Sequence, residues 1–244
     1  MRDVLEPRPP EAHGPGRVAL VVLAKAPEPG RVKTRLCPPA EAAEAADIAA
    51  AALLDTLDAV RATAGGRPVL ALTGRLDAAA RGEELAGAIR DLPVVAQRGA
   101  GLGARIAAAH ADASRCAPGL PTLLIGMDTP QADARLLDRC VDALLGPAGP
   151  DAVLGPATDG GWWVLGLRDP QAAQVLAHVP TSRPDTGQRT LHALRAAGLR
   201  VVLAPTLRDV DTAADAVAVS RAAAGTRFAA AVRAVPALGR GRGC

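Results

Sequence analysis

The 244-residue chain has almost no aromatic side chains: one phenylalanine, two tryptophans and no tyrosine. That scarcity argues against single-stranded nucleic-acid binding, which stacks bases on aromatic platforms. The net charge of +3 arises from interspersed signs, without the clustered basic face of a nucleic-acid surface. No apolar run approaches the ~18 residues of a membrane-spanning helix, so no membrane partner is expected. The cysteines, Cys37, Cys116, Cys140 and Cys244, are dispersed with no C-x-x-C pair. They offer neither a zinc-site spacing nor a disulfide framework, and a reducing cytoplasm suits them. Residues 1–16 are polar and proline-rich and lack the basic-then-apolar order of a signal peptide. They are read as a flexible tail, as are residues 236–244. No G-x-S-x-G, H-E-x-x-H or G-x-x-x-x-G-K-[ST] motif occurs. His13, His110, His178 and His192 show no metal-ligand spacing and are expected at the surface or half-buried.

Hydrophobic residues make up 49% of the chain, enough for a sizeable core. They are arranged as short apolar runs alternating with alanine-rich amphipathic stretches. Val18–Ala24 is continuously apolar, as in a strand buried on both faces. Further strands are expected at Val69–Thr73, Leu92–Ala96, Thr122–Met127, Ala152–Leu154, Trp162–Leu167 and Val201–Ala204. Helices are expected at Glu41–Thr63, Asp77–Ile89, Leu102–Ser114, Asp133–Leu145, Pro184–Ala197 and from Asp211 toward Ala224 or Ala234. This alternation implies βαβ units, hence an α/β domain over residues 17–235 with a mostly parallel, Rossmann-like sheet and helices on both faces.

In such sheets ligands bind beyond the carboxyl ends of the strands, and the unusual polar residues fall there. The loop after the first strand carries both lysines of the chain. Lys25, Arg31, Lys33 and Arg35, with Thr34 among them, lie within eleven residues. Such a loop can disperse positive charge around a polyphosphate; it could equally be a solvated basic loop. The glycine-rich Gln97–Gly103 leads into a helix whose N-terminus offers free N–H groups, or it is a plain turn. Asp128 stands at the mouth of a buried strand, suited to Mg²⁺ or Mn²⁺. It is several residues early for the cap of the next helix, which Asp133 could supply. Asp209 and Asp211 follow the last strand, and Asp211 could cap a helix with support from Asp215. Asp159-Gly160-Gly161 reads as a hairpin turn. Trp162 and Trp163 should face opposite sides of the sheet.

The first loop, the D-x-P at Asp128, the segment G-P-A-T-D-G-G-W-W-V-L-G-L and the segment R-D-V-D-T together resemble a bacterial family of GT-A-like proteins provisionally labelled glycosyltransferases. More distantly, the chain is similar to 2-phospho-L-lactate guanylyltransferases, whose K-P…K-[ST]-R-L pattern is met by Lys25, Pro27, Lys33, Thr34, Arg35 and Leu36. The resemblance spans roughly residues 17–217 and implies a single GT-A-like (nucleotide-diphospho-sugar transferase) domain. It implies nucleotide contacts at Lys25, Arg31, Lys33, Thr34 and Arg35, with base or ribose contacts at Gln97, Gly101, Leu102 and Gly103. It further implies metal ligation by Asp128 and Asp211, an acceptor side at Asp159, Gly160 and Gly161, and a catalytic set of Lys33, Asp128 and Asp211. Gly101 and Ala104 stand where the family often has acidic residues.

The expected activity is a metal-dependent transfer from a nucleotide donor to a small-molecule acceptor. The dense basic loop suits an NTP whose α-phosphorus is attacked by a phosphate- or carboxylate-bearing acceptor, releasing pyrophosphate. Glycosyl transfer from an NDP-sugar is the alternative, and a non-catalytic nucleotide-binding protein the third. The sequence leaves room for a homo-oligomer.

Overall fold

The computed structural model describes residues 16–239. Seven strands form one sheet: β1 (Val18–Lys25), β2 (Gly66–Thr73), β3 (Val94–Ala96), β4 (Thr122–Gly126), β5 (Ala152–Pro156), β6 (Trp162–Leu167) and β7 (Val201–Leu203). Their order is β3-β2-β1-β4-β6-β5-β7. β1 pairs in parallel with β2 and β4, β2 with β3, and β5 with β7. β6 runs antiparallel to both its neighbours, β4 and β5. The sheet is therefore mostly parallel, as the strand–helix alternation implied. β5 therefore runs in the same sense as β1 and β4, and the β5–β6 turn falls at the edge where those strands end.

β1 is buried along nearly its whole length, and its alternate side chains enter two cores. Val18, Leu20 and Val22 meet α1 (Ala42–Ala62), α2 (Gly82–Ala88) and α4 (Ala134–Leu145) on one face. Ala19 and Val21 meet α3 (Leu102–Cys116) and α5 (Thr186–Ala196) on the other. A third apolar cluster forms outside α1, where α6 (Ala213–Ala222), α7 (Arg227–Ala234) and α8 (Pro236–Gly239) cover its outer stripe with Phe228 at the centre. Alanine richness allows α1 to be packed on both sides, since small side chains let neighbouring helices approach. Among the described residues no helix is long and apolar enough to cross a membrane.

Helix ends follow local chemistry. Glu41 and Glu44 form a reciprocal capping box on α1, and Asp133 caps α4 by accepting from the Leu136 N–H at 2.8 Å. α6 is capped by Thr212, whose hydroxyl and Asp215 satisfy one another's backbone N–H groups. Asp211 is thus not the cap of that helix.

Several expected elements differ. The helix expected over Asp77–Ile89 is broken into a 3-10 turn, Leu76–Ala78, and α2. Arg81 stands between them with φ 51°, held there by a two-pronged ion pair to Asp47 at 2.7 and 2.8 Å. The last expected helix divides into α6 and α7 on either side of Gly225, whose φ is 91°. A 3-10 segment, Pro170–His178, stands where no element is expected; its three-residue turn does not produce the 3.6-residue apolar period. His110 is fully buried, not surface or half-buried, with Nδ1 2.7 Å from the Thr122 hydroxyl. Burial pushes its pKa down to about 3. Of the expected tails, Pro236–Gly239 forms α8 and buries Leu238. Residues 1–15 and 240–244 lie outside the described residues.

Candidate functional site

One cleft opens over the carboxyl edge of the sheet, in two lobes. The first, of about 360 Å³, is lined by Lys25, Arg31, Lys33, Thr34, Arg35, Gln97, Leu102, Arg105, Asp128 and Asp211 among others. The second, of about 680 Å³, shares Leu23, Arg35, Leu102, Asp128 and Asp211 with it. It extends to Asp159, Gly161, Trp162, Thr181–Pro184, Thr186 and Asp209. The structure thus brings the first-loop cations and both expected metal ligands to one rim.

The first loop is shaped by internal bonds. Lys25 Nζ donates to the Arg31 carbonyl at 2.7 Å and so closes the loop on itself. Glu28, buried beneath, accepts from the Arg75 backbone N–H at 3.0 Å and from Arg31 at 3.1 Å. The Arg75 N–H first, then Arg31, hold its carboxyl below the usual range against the opposing effect of burial. Lys33 has left-handed backbone angles, φ 47° and ψ 35°, and precedes the 3-10 turn Thr34–Leu36. Its ammonium is hydrogen-bonded to Asp128 and lies 3.5 Å from Asp211. Burial alone would lower the Lys33 pKa, but the carboxylates of Asp128, Asp211 and Asp209 outweigh it and raise the value. Arg35 reaches the other oxygen of Asp211 at 3.3 Å.

Of the expected base or ribose contacts, Gln97 and Leu102 face the first lobe. Gln97 Nε2 donates to the carbonyls of Ala24 at 2.7 Å and Ala71 at 2.9 Å, leaving Oε1 as its free end. Gly101 and Gly103 do not line either lobe. Gly103 is a packing residue instead: a Cβ there would stand 2.1 Å from the Leu176 carbonyl oxygen. The glycine-rich loop is anchored from behind by Asp112, nearly buried and paired with both Arg98 and Arg115.

At the expected acceptor turn, the Asp159 carboxylate accepts from the Gly161 N–H at 2.7 Å. Gly160, at φ 88°, passes so close to Pro184 that a Cβ would lie 1.8 Å from its carbonyl oxygen. The Gly187 N–H donates to the Gly160 carbonyl at 2.7 Å. The turn and the Thr181–Thr186 segment therefore form one wall. Trp162 lines this lobe, while Trp163 is buried and donates to the Pro205 carbonyl at 2.9 Å.

Asp159, Asp209 and Asp211 each place a carboxylate oxygen within 4.8 Å of the others. Asp209 is thereby a member of a carboxylate group, although its place in the sequence marks it only as one of two acids after the last strand. Its pKa is pushed up to about 6, chiefly by burial and then by the charges of Asp159 and Asp211. Sequence reasoning also missed Glu28, Arg105 and Thr181–Thr186. Arg105 carried a usable signal, one helical turn after Leu102 at a helix start. The others carried none, because their place depends on long-range packing.

The region from Thr56 to Arg183 matches the bacterial family described as "Uncharacterized protein conserved in bacteria (DUF2064)". The chain belongs to this family. The matched stretch includes Asp128 and Asp159–Gly161 but neither the first loop nor Asp211. A solved structure from Desulfovibrio desulfuricans G20, provisionally named a nucleotide-diphospho-sugar transferase, is 27% identical with a TM-score of 0.79, covering 92% of this chain and 97% of that one. A cytidylyltransferase from Leptospira borgpetersenii is 12% identical with a TM-score of 0.54, covering 94% and 99%. CMP:2-keto-3-deoxy-manno-octonic acid synthetase in complex with CTP is 13% identical with a TM-score of 0.53, covering 82% and 95%. The last two show the shared fold, that of the nucleotide-diphospho-sugar transferases. Curated proteins provide no match.

Proposed function

We propose that this family member is a metal-dependent transferase acting on a nucleotide donor, with nucleotidyl transfer to a phosphate- or carboxylate-bearing acceptor as the leading reaction. The observation that carries the reading is the first lobe. Lys25, Arg31, Lys33, Arg35 and Arg105 surround one space with Asp128 and Asp211 at its floor. Cations on the walls suit the oxygens of a polyphosphate, and carboxylates at the floor suit a hard divalent ion. The donor set fits such an ion: the two carboxylates already share one cation, the Lys33 ammonium.

Asp128 and Asp211 would hold Mg²⁺ or Mn²⁺, with Asp159 and Asp209 close to Asp211. The ion would neutralise charge growing on the leaving phosphate. Lys33 and Arg35 would bind and orient the phosphates, Gln97 Oε1 would accept from the base, and the Gly160–Pro184 wall would position the acceptor. Preorganised charge and positioning would provide most of the rate, with no side-chain nucleophile. The second lobe provides room for a small acceptor.

Glycosyl transfer from an NDP-sugar is the second reading, favoured by the name of the 27%-identical structure. A panel of NTPs and NDP-sugars with Mg²⁺ or Mn²⁺ tests both, read first as thermal shift and then as pyrophosphate or NDP release. Absence of any nucleotide-dependent shift would end the donor reading; binding without turnover would point to a non-catalytic nucleotide-binding protein.

A further inference from the structure

We propose that Lys33 is a built-in counter-cation that closes the space between Asp128 and Asp211 and thereby couples metal entry to the arrival of a polyphosphate. This rests on the nucleotide-donor reading. The same residue has two claims on it. As a phosphate ligand it must point at the donor; in the structure it points at two carboxylates, one hydrogen-bonded and one 3.5 Å away. Its side chain is only 10% exposed, so the ammonium has exchanged water for carboxylate partners.

A divalent ion seeking Asp128 and Asp211 competes with a cation already seated between them. Arriving alone, it must expel the ammonium from both partners without bringing an anion to receive it. A polyphosphate in the first lobe supplies that anion. The ammonium moves to phosphate, the carboxylates pass to the metal, and charge stays matched throughout. Each ligand then favours the other, and by linkage the coupling is reciprocal.

The backbone around Lys33 suits a side-chain switch rather than loop motion. Val32 and Leu36 flank it and are buried in two different apolar clusters. The segment is pinned on both sides, while the four-carbon lysine stem can redirect its head. Arg35 provides a contrast. It also meets Asp211, but its side chain is 71% exposed, so removing it subtracts a charge without emptying the space between the carboxylates.

The test titrates Mn²⁺ alone into wild type, Lys33→Met and Arg35→Met, reading free Mn²⁺ by electron paramagnetic resonance. Lys33→Met should bind Mn²⁺ about tenfold more tightly than wild type, and Arg35→Met less than about threefold more tightly. Wild type is titrated in parallel with each common NTP plus Mn²⁺. If wild type binds no NTP, the donor reading fails and this proposal with it. If wild type binds Mn²⁺ with an NTP but Lys33→Met gains no Mn²⁺ affinity, the donor reading stands and the coupling role is overturned. Equal gains in both variants overturn it too, because general electrostatics would then suffice. Should Lys33→Met not fold, a wild-type crystal grown with MnCl₂ alone decides. Mn²⁺ on both carboxylates with Lys33 still between them would overturn the proposal; Lys33 retained with no ion bound there would support it.

Discussion

The backbone N–H of Val210 donates to the carbonyl oxygen of Asp128 at 2.9 Å. This bond ties the loop after β7 to the end of β4, and it explains how Asp211 comes to stand beside Asp128. Val210 is itself buried in the cluster around Phe228, so the acidic loop is fixed on one side by packing and on the other by a backbone hydrogen bond. The Asp128–Asp211 pair is thus part of the fold and does not depend on a ligand to assemble.

Asp128 and Asp133 have different duties. Asp133 caps α4, which leaves Asp128 without that duty. Asp128→Asn should abolish the metal dependence of nucleotide affinity and also lower the urea midpoint, because the largely buried Lys33 ammonium loses a carboxylate partner. Asp133→Ala should lose about 1 kcal/mol of stability with nucleotide affinity and its metal dependence intact. Calorimetric titration with and without Mg²⁺, beside urea unfolding, checks both; an Asp128→Asn protein whose affinity still responds to Mg²⁺ would remove Asp128 from the metal site.

Asp209 should make stability depend on pH. Its folded pKa is raised to about 6 from an ordinary 3.8, so between those values the folded state holds a proton that the unfolded chain has released. Stability from this group therefore falls as pH rises from about 4 through 6. Asp209→Asn should melt higher than wild type at neutral pH, and the difference should close as pH falls below about 4. A melting difference that does not change over this range would show that Asp209 is not the strained member of the group.

Much of this was legible in the sequence because the strands that position the site are apolar runs between breakers. β1, α1 and β6 lie where the pattern places them, and a parallel sheet puts the residues after β1 and β4 on one edge. The rest needed three-dimensional information. Arg81 breaks a helix through Asp47, a residue on α1 that no local window includes. Asp159 joins Asp209 and Asp211 because β7 pairs beside β5, a strand neighbourhood that no local pattern announces. Gly103 looked like a ligand-facing glycine, yet its neighbour is the Leu176 carbonyl of an unforeseen 3-10 segment.

Two glycines with positive φ should respond differently to alanine. Gly101 has φ 91° and open space, with nothing within 4 Å of where a Cβ would stand. Its ψ of 165° places it in a positive-φ extended region that is essentially glycine-only, so Gly101→Ala should cost backbone strain alone, about 1–3 kcal/mol. Gly160 has φ 88°, and a Cβ there would meet the Pro184 carbonyl oxygen at 1.8 Å. Gly160→Ala must also part the turn from the Thr181–Thr186 wall, and should cost about 3 kcal/mol or more. Urea unfolding of the two variants, side by side, measures the difference. Similar losses would mean that the Thr181–Thr186 wall yields easily.

Gln97 provides a test of how the first lobe is built. Both hydrogens of its amide are taken by the Ala24 and Ala71 carbonyls, at 2.7 and 2.9 Å, so the amide bridges β1 and β2 and can turn only its oxygen to a ligand. Gln97→Glu keeps the shape and removes both donors. At neutral pH its carboxylate would face two carbonyl oxygens that each lose a donor, adding repulsion, at a cost of about 1–3 kcal/mol. Protonation restores one donor, so the introduced carboxyl should titrate above its ordinary range in the folded protein. Its contribution to stability then declines as pH rises through that raised pKa, and the deficit against wild type should shrink on acidification. Gln97→Met, which fills the same space without a titrating group, should show a deficit that is constant with pH. Denaturant unfolding of all three proteins across mildly acid to neutral pH distinguishes them. A Gln97→Glu deficit as flat as that of Gln97→Met would mean that the amide does not bridge the strands in solution, and that its oxygen is not held toward the first lobe.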